Sequence, residues 1–137
     1  DWGNVGSMLR TAAAAGVRQI FLSPGSVFAW SPKTLRAGQG AHFFLSIHEG
    51  VDLVALARRH PGRVIATDAR ARQSLYGADL RGPVAWAFGN EGAGLSPGLS
   101  AAASLRVRIP MPGPTESLNV AAAAAICLFE QVRQRGG

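Results

Sequence analysis

Val5, Met8, Leu9 and Ala12 recur at i, i+3, i+4 and i+7, one apolar face that predicts a helix over residues 4–15. Asn4 is placed to cap it, and Gly16 to stop it just past its last turn. Short apolar runs at 18–22 (RQIFL), 43–47, 63–67 (RVIAT), 83–88 (PVAWAF) and 105–109 (LRVRI), punctuated by Gly and Pro, read as five strands. Ser31-Pro32 opens a second helix with proline at its first position. Residues 51–59 put Val51, Val54, Ala55 and the stem of Arg58 on one side of a third. Residues 96–103 read as a short helix and 115–133 as the longest, while 68–82 read as a loop. This alternation predicts an α/β domain with a mostly parallel sheet and helices on both faces. The alanine runs at 12–15 and 121–125 fall on helices, where small side chains let backbones approach.

Composition narrows the class. A chain of 137 residues fits one domain, and 47% hydrophobic against 16% charged residues is too apolar for disorder. The single cysteine, Cys127, excludes an internal disulfide. His42, His48 and His60 are scattered and form no metal-ligand cluster, so no metal is expected. The longest apolar run, 120–129, is about half a membrane span, and the N-terminus is not signal-like. No membrane partner is expected, and the cytoplasm is the expected compartment. A chain that opens on Asp1 reads as a piece of a longer protein.

Charge points to a partner. Fourteen Lys+Arg against eight Asp+Glu give +6, and all the cations but Lys33 are arginine. A coding bias explains the Arg:Lys ratio but not the net charge, and a basic, Arg-dominated domain favours a polyanion such as nucleic acid.

In open α/β sheets ligands bind beyond the carboxyl ends of strands. Three segments follow such ends: Thr67-Asp68, residues 89–96 (GNEGAGLS) and residues 110–119 (PMPGPTESLN). Glycines in the later two let main-chain groups come close to a flat, neutral group such as adenine. The P-loop, the early G-x-G-x-x-G turn and the G-x-S-x-G elbow are all missing from the sequence.

Asn4-Val5-Gly6-Ser7-Met8-Leu9-Arg10 resembles motif 1 (N-x-G-x-x-x-R) of the SpoU, or TrmH-like, RNA ribose 2′-O-methyltransferases. Residues 88–95 (FGNEGAGL) are similar to their motif 2. Ile109-Pro110-Met111 with residues 116–121 (ESLNVA) is similar to motif 3. The three occur in the family's order and cover essentially the whole chain, 1–137, as a catalytic domain. The resemblance implies a SPOUT-type α/β fold with a C-terminal trefoil knot, S-adenosylmethionine as cofactor, a tRNA or rRNA substrate and a homodimer. It also implies that the strand preceding motif 1 and an N-terminal RNA-binding domain are absent from this chain.

The same resemblance assigns Asn4, Arg10, Glu91, Ser117 and Asn119 to catalysis. Thr67, Gly89, Asn90, Gly92, Ile109, Met111, Ser117 and Leu118 are expected at the cofactor, largely through backbone atoms. Simpler roles stand beside these. Asn4 fits an N-cap, Ser117 and Asn119 fit capping of the last helix, Arg10 a solvated helix face, and Ile109 and Leu118 plain core. Glu91 is expected to pair with Arg10 and orient its guanidinium. Trp30, Trp86 and Tyr76 are candidates to stack on bases, with core packing favoured for Trp86. Two other functions remain open: a catalytically inactive RNA-binding or scaffold module of the same fold, and a Rossmann-type nucleotide-binding enzyme, against which the missing early glycine turn argues.

Overall fold

The computed structural model describes residues 2–25, 29–89, 94–115 and 118–137. The chain divides into two compact units, Asp1–Leu53 and Val54–Gly137.

In the first unit, helix α1 (Trp2–Ala14) buries Leu9 and Ala12, and Val5 and Ala13 pack on the cluster of Leu9, Ala29 and Ala41. It ends as the sequence predicts. Gly16 adopts φ +85°, its N–H donates to Ala13 O (3.1 Å), and the Val17 N–H donates to Ala12 O (2.9 Å), which satisfies two terminal carbonyls. Its start differs. The helix is already formed at Trp2, so Asn4 lies in the first turn and is not the cap. First-turn N–H groups make no intrahelical bond, so Trp2 and Gly3 enter the helix without losing one.

Helix α2 (Pro32–Gly38) is capped by Ser31, whose Oγ accepts from the Thr34 N–H (3.3 Å), with Pro32 in the first turn. α1 crosses α2 at Gly6. A Cβ built there would lie 2.3 Å from Ala37 Cβ and 2.9 Å from Thr34 O. Strands β1 (Gln19–Phe21) and β2 (Ser46–His48) pair in parallel with Ile20 opposite Ile47. The strand expected at 43–47 begins only at Ser46, because 41–44 form a 3-10 turn (Ala41–Phe44). Gly40 at φ +86° redirects the chain and its carbonyl accepts from the Phe43 N–H (3.2 Å). His42 is buried and its Nε2 donates to Ala29 O (2.6 Å), which fixes the turn.

Helix α3 (Leu53–Arg59) starts where the first unit ends. The second unit holds a four-stranded, all-parallel sheet of order β4-β6-β3-β5. Its strands are β3 (Arg63–Thr67), β4 (Gln73–Ser74), β5 (Val84–Ala87) and β6 (Leu105–Arg108). β3 buries Val64, Ile65 and Ala66 in succession, the continuous apolar run of a strand covered on both faces. Helix α4 (Pro97–Ala102) is capped by Ser96, whose Oγ accepts from the Leu99 N–H (3.3 Å). Ile65, Leu75, Ala78, Leu80, Val107 and Cys127 form the core, with Trp86 and Phe88 packed against it. Burial pushes the Cys127 thiol up to about 12, so this cysteine is an inert core group.

Two further expectations shift. The segment 68–82 contains β4 and a 3-10 turn (Leu75–Gly77), too short to leave a periodic signal. The last helix, α5 (Val120–Gln134), begins later than residue 115. Asn119 takes the cap position: its Oδ1 accepts from the N–H groups of Ala121 (2.8 Å) and Ala122 (3.1 Å). The polar residues near the end of α5 are spent inward. Gln134 donates to Ala78 O (3.0 Å) and accepts from the Leu80 N–H (2.8 Å), while Gln131 donates to Leu80 O (3.1 Å) and accepts from Trp86 Nε1 (3.0 Å).

Replacing Gly6 by alanine drives a methyl group into Ala37 and should cost about 1–3 kcal/mol in urea denaturation; unchanged stability would mean that the α1–α2 crossing is looser than described. A second expectation concerns acid. Hydrogen bonds from Arg133 (2.7 Å) and Gln134 (2.9 Å) hold the Glu130 carboxyl at about 2, below its ordinary 4.5. A depressed folded pKa contributes stability that is complete above the unfolded value and is lost as pH falls toward the folded one. Melting temperatures should therefore fall between pH 4.5 and 2, and Glu130→Gln should flatten that fall; an equal slope in both proteins would assign the acid response elsewhere.

Candidate functional site

The sheet of the second unit sets up one edge. In the parallel register Ala66 is opposite Ala87 and Thr67 opposite Val107. The chain therefore leaves β3 at Thr67, β5 at Phe88-Gly89 and β6 at Ile109 from the same end of neighbouring strands. This is the carboxyl edge at which α/β sheets bind ligands. Thr67, Gly89, Ile109 and Met111 are half-buried there.

Gly89 is the tightest point of this edge. A Cβ on it would lie 2.3 Å from Gly94 C and 2.3 Å from Leu95 N. Gly94 and Leu95 thus lie backbone against backbone with Gly89, and Gly94 sits at φ +71°. Any side chain at 89 would push Gly94 and Leu95 away. Behind it, Phe88 and Trp86 stack at 6.1 Å and 9° between ring planes and seat the end of β5 on the core.

The turn after β3 is fixed from two sides. The Asp68 N–H donates to Val107 O (2.9 Å), and Asp68 Oδ1 accepts from the Arg70 N–H (2.8 Å). The Arg108 guanidinium, at the end of β6, donates to the carbonyls of Ala71 and Arg72. Arg108 was not singled out from the sequence. Its alternation with Val107 is the signal that marks it as facing away from the core.

Of the predicted catalytic residues, Asn119 is exposed and caps α5, and the predicted cofactor contact Leu118 precedes it at the surface. Asn4 is half-buried in the first turn of α1, and Arg10 is exposed later on the same helix. Six residues apart, they are turned about 120° from one another around α1. Asn90, Glu91, Gly92 and Ser117 lie outside the described residues, and with them the expected Arg10–Glu91 pair. Arg10 borders an open pocket of about 310 Å³ within the first unit, lined also by Ala13, Ala14, Gly38, Gln39, Ala41 and Phe44. The sequence reading did not find Phe44, which it placed in a strand. Among the described residues no group of three or more His, Cys, Asp or Glu is placed to hold a metal ion. No described helix is long and apolar enough to cross a membrane.

The residues at the carboxyl edge fit S-adenosylmethionine. They offer a loop closed by backbone contact at Gly89, strand-end main-chain groups at 67, 89 and 109, and apolar surface at Ile109 and Met111. A nucleoside that is recognised chiefly through main-chain groups needs such a lining.

Comparison with known proteins places these features. The chain is 38% identical over 98% of its length to an uncharacterised tRNA/rRNA methyltransferase of Synechocystis sp., of which it covers 50%. It is 36% identical over its full length to a 23S rRNA (guanosine-2′-O-)-methyltransferase of Bordetella pertussis, of which it covers 57%. The AdoMet-bound rRNA methyltransferase from Sinorhizobium meliloti superposes with a TM-score of 0.90 at 36% identity, over 97% of this chain and 52% of that one. The chain spans about half the length of the curated relatives it matches. The model of the SpoU rRNA Methylase family matches residues 1–129, which span α1, the end of β5 at Gly89 and most of α5, and the chain belongs to that family.

Proposed function

We propose that the protein transfers a methyl group from S-adenosylmethionine to a ribose 2′-hydroxyl of tRNA or rRNA. The observation that carries this reading is Gly89. In a family named for rRNA methylation, the motif 2 glycine holds the chain after β5 backbone against backbone with Gly94 and Leu95, beside the end of β3, where a cofactor of this kind fits. The names of the relatives, with AdoMet bound in one and ribose 2′-O-methylation of 23S rRNA in another, support it.

When bound, S-adenosylmethionine supplies a methyl group on a positively charged sulfur. Thr67, Gly89, Asn90, Gly92, Ile109, Met111 and Leu118 would hold it, mainly by main-chain hydrogen bonds and apolar contact. Arg10 would stabilise negative charge developing on the ribose oxygen and hold the adjacent phosphate. A guanidinium keeps its proton at ordinary pH, so Arg10 is an electrostatic group rather than a base. Glu91 would orient Arg10, while Asn4, Ser117 and Asn119 would position the ribose and the cofactor's methionine end. The cap that Asn119 forms on α5 fixes the end of the motif 3 loop, which suits that role. The order β4-β6-β3-β5, with the last strand inserted between earlier ones, supports the trefoil knot implied by the family. The domain assignment, a SpoU-type catalytic domain over 1–137, rests on the same match. The cytoplasm, where tRNA and rRNA are modified, is the proposed location.

Two variants separate cofactor binding from catalysis. Gly89→Ala should abolish S-adenosylmethionine binding in isothermal titration. Arg10→Ala should leave that affinity within about twofold yet lower the single-turnover methylation rate by about 10²–10³, the scale of one oxyanion donor. A Gly89→Ala protein that binds as tightly as wild type would remove the loop from the cofactor site. A wild-type protein that binds S-adenosylmethionine but methylates no RNA would mark an idle module.

A homodimer is proposed from the small-residue stretch at 121–125 on α5 together with the family. Sedimentation at tens of micromolar should give twice the monomer mass, and a monomer there would overturn the assembly.

A further inference from the structure

The 3-10 turn of the first unit exposes what a folded chain ordinarily hides. Ala41 and His42 are buried and anchor the turn, His42 through Ala29 O and through a ring contact with Trp30 at 4.9 Å. The next two residues, Phe43 and Phe44, stand 91% and 75% exposed. Single exposed apolar residues are ordinary, whereas two adjacent aromatics held out by an anchored turn are an exposure of the kind that marks a binding surface.

Phe44 borders the 310 Å³ pocket together with Arg10 and Gln39. Gln39 caps α2 at φ +49°, ψ +48°, the one non-glycine residue at positive φ among those described. A left-handed glutamine costs conformational energy that glycine would not, and such outliers persist where the surroundings or the function require the side chain. The elements that form the pocket, α1, α2 and the 3-10 turn, carry Arg10, Lys33 and Arg36 and no carboxylate. Glu49, the acid that follows in sequence, accepts from the Ala29 N–H (3.1 Å). An aromatic face, an amide and a lining that holds the Arg10 guanidinium and no carboxylate fit a nucleotide better than they fit an apolar partner. Stacking on Phe uses the face that every base possesses, an amide matches the donor–acceptor edge of a base, and the guanidinium fork matches phosphate.

We propose that this pocket is a nucleobase subsite for the RNA strand. Phe44 stacks on a base at or next to the acceptor nucleotide. Gln39 hydrogen-bonds the edge of that base, and Arg10 holds a flanking phosphate. The proposal rests on the methyltransferase reading, because it makes the subsite the place where RNA is set for Arg10.

The test uses the complete protein and two probes: a mixed-sequence single-stranded oligoribonucleotide carrying one 2-aminopurine, and an abasic ribose-phosphate oligomer of equal length. Phe44→Ala should weaken binding of the first by about 5- to 150-fold, the range of one lost stack. It should also relieve the quenching of 2-aminopurine, with abasic affinity changed less than about twofold. Phe44→Trp should restore both readouts, and Arg10→Ala should weaken both oligomers. Phe44 and Phe43 are exposed, so alanine there should leave the fold intact by circular dichroism. Wild-type oligonucleotide affinity in Phe44→Ala would overturn the subsite, and coincident loss of a dimer in sedimentation would assign the patch to contact between copies. No binding of the base-containing oligomer by the wild-type protein up to millimolar would overturn it as well. Loss of S-adenosylmethionine binding by the wild-type protein would instead overturn the methyltransferase reading, and the oligonucleotide readouts would still decide the subsite.

Discussion

The second unit depends on the insertion of β6 between β3 and β4. Val107 stands opposite Thr67 on one side and Gln73 on the other, and its carbonyl also takes the Asp68 N–H (2.9 Å). Leu105 and Val107 face the core, so the alternating Arg106 and Arg108 face away from it. Both arginines donate to backbone carbonyls, Arg106 to Ser100 O (2.9 Å) at α4 and Arg108 to Ala71 and Arg72. One short strand thereby fixes the preceding helix, the turn after β3 and the start of the motif 3 loop. Parallel strands must share one direction at their carboxyl ends, so the insertion also brings Thr67, Gly89 and Ile109 to one edge.

Two motif glycines work by occupying no space. Gly6 lies where a Cβ would strike Ala37, and Gly89 where it would strike Gly94 and Leu95. By contrast, Gly16, Gly40 and Gly94 lie at positive φ and supply backbone conformation. The distinction matters for function. The motif 1 glycine sets how closely α1, which carries Arg10, rests on α2, and the motif 2 glycine sets how tightly the loop after β5 closes. Motif 1 therefore specifies a helix crossing as well as the position of Arg10.

Features with a local physical cause were legible in the sequence. Ser31-Pro32 and Ser96-Pro97 start helices, Gly16 ends one, and the apolar runs at 63–67, 83–88 and 105–109 are strands. Where competing local chemistry decided, sequence reading went astray. Phe43-Phe44 looks like strand, yet Gly40 and the buried His42 bend it into a turn. Thr115 looks like a helix start, yet Asn119 offers the cap that wins. β4 is held by pairing with β6 and leaves no pattern of its own. The edge carrying Thr67, Gly89 and Ile109 was legible because the strand-end rule needs only the order of elements. Arg10 came from motif resemblance alone, since an exposed helix arginine has no distinguishing local signal.

The arginine-rich composition has two separable consequences. Every arginine adds to the long-range field, so the net charge of +6 bears on how a polyanion would be drawn in. Close contact with phosphate needs a guanidinium whose donors are not already committed. In the second unit Arg63, Arg106, Arg108 and Arg135 donate to carbonyls, and Arg81 and Arg133 pair with Asp79 (3.0 Å) and Glu130 (2.7 Å). These guanidiniums keep their charge but use part of their fork to hold the chain together. Composition alone therefore speaks to steering and overstates the number of phosphate contacts. A phosphate-binding surface has to be sought where a cation borders a pocket that no acid lines, which among the described residues of the first unit is the surface around Arg10.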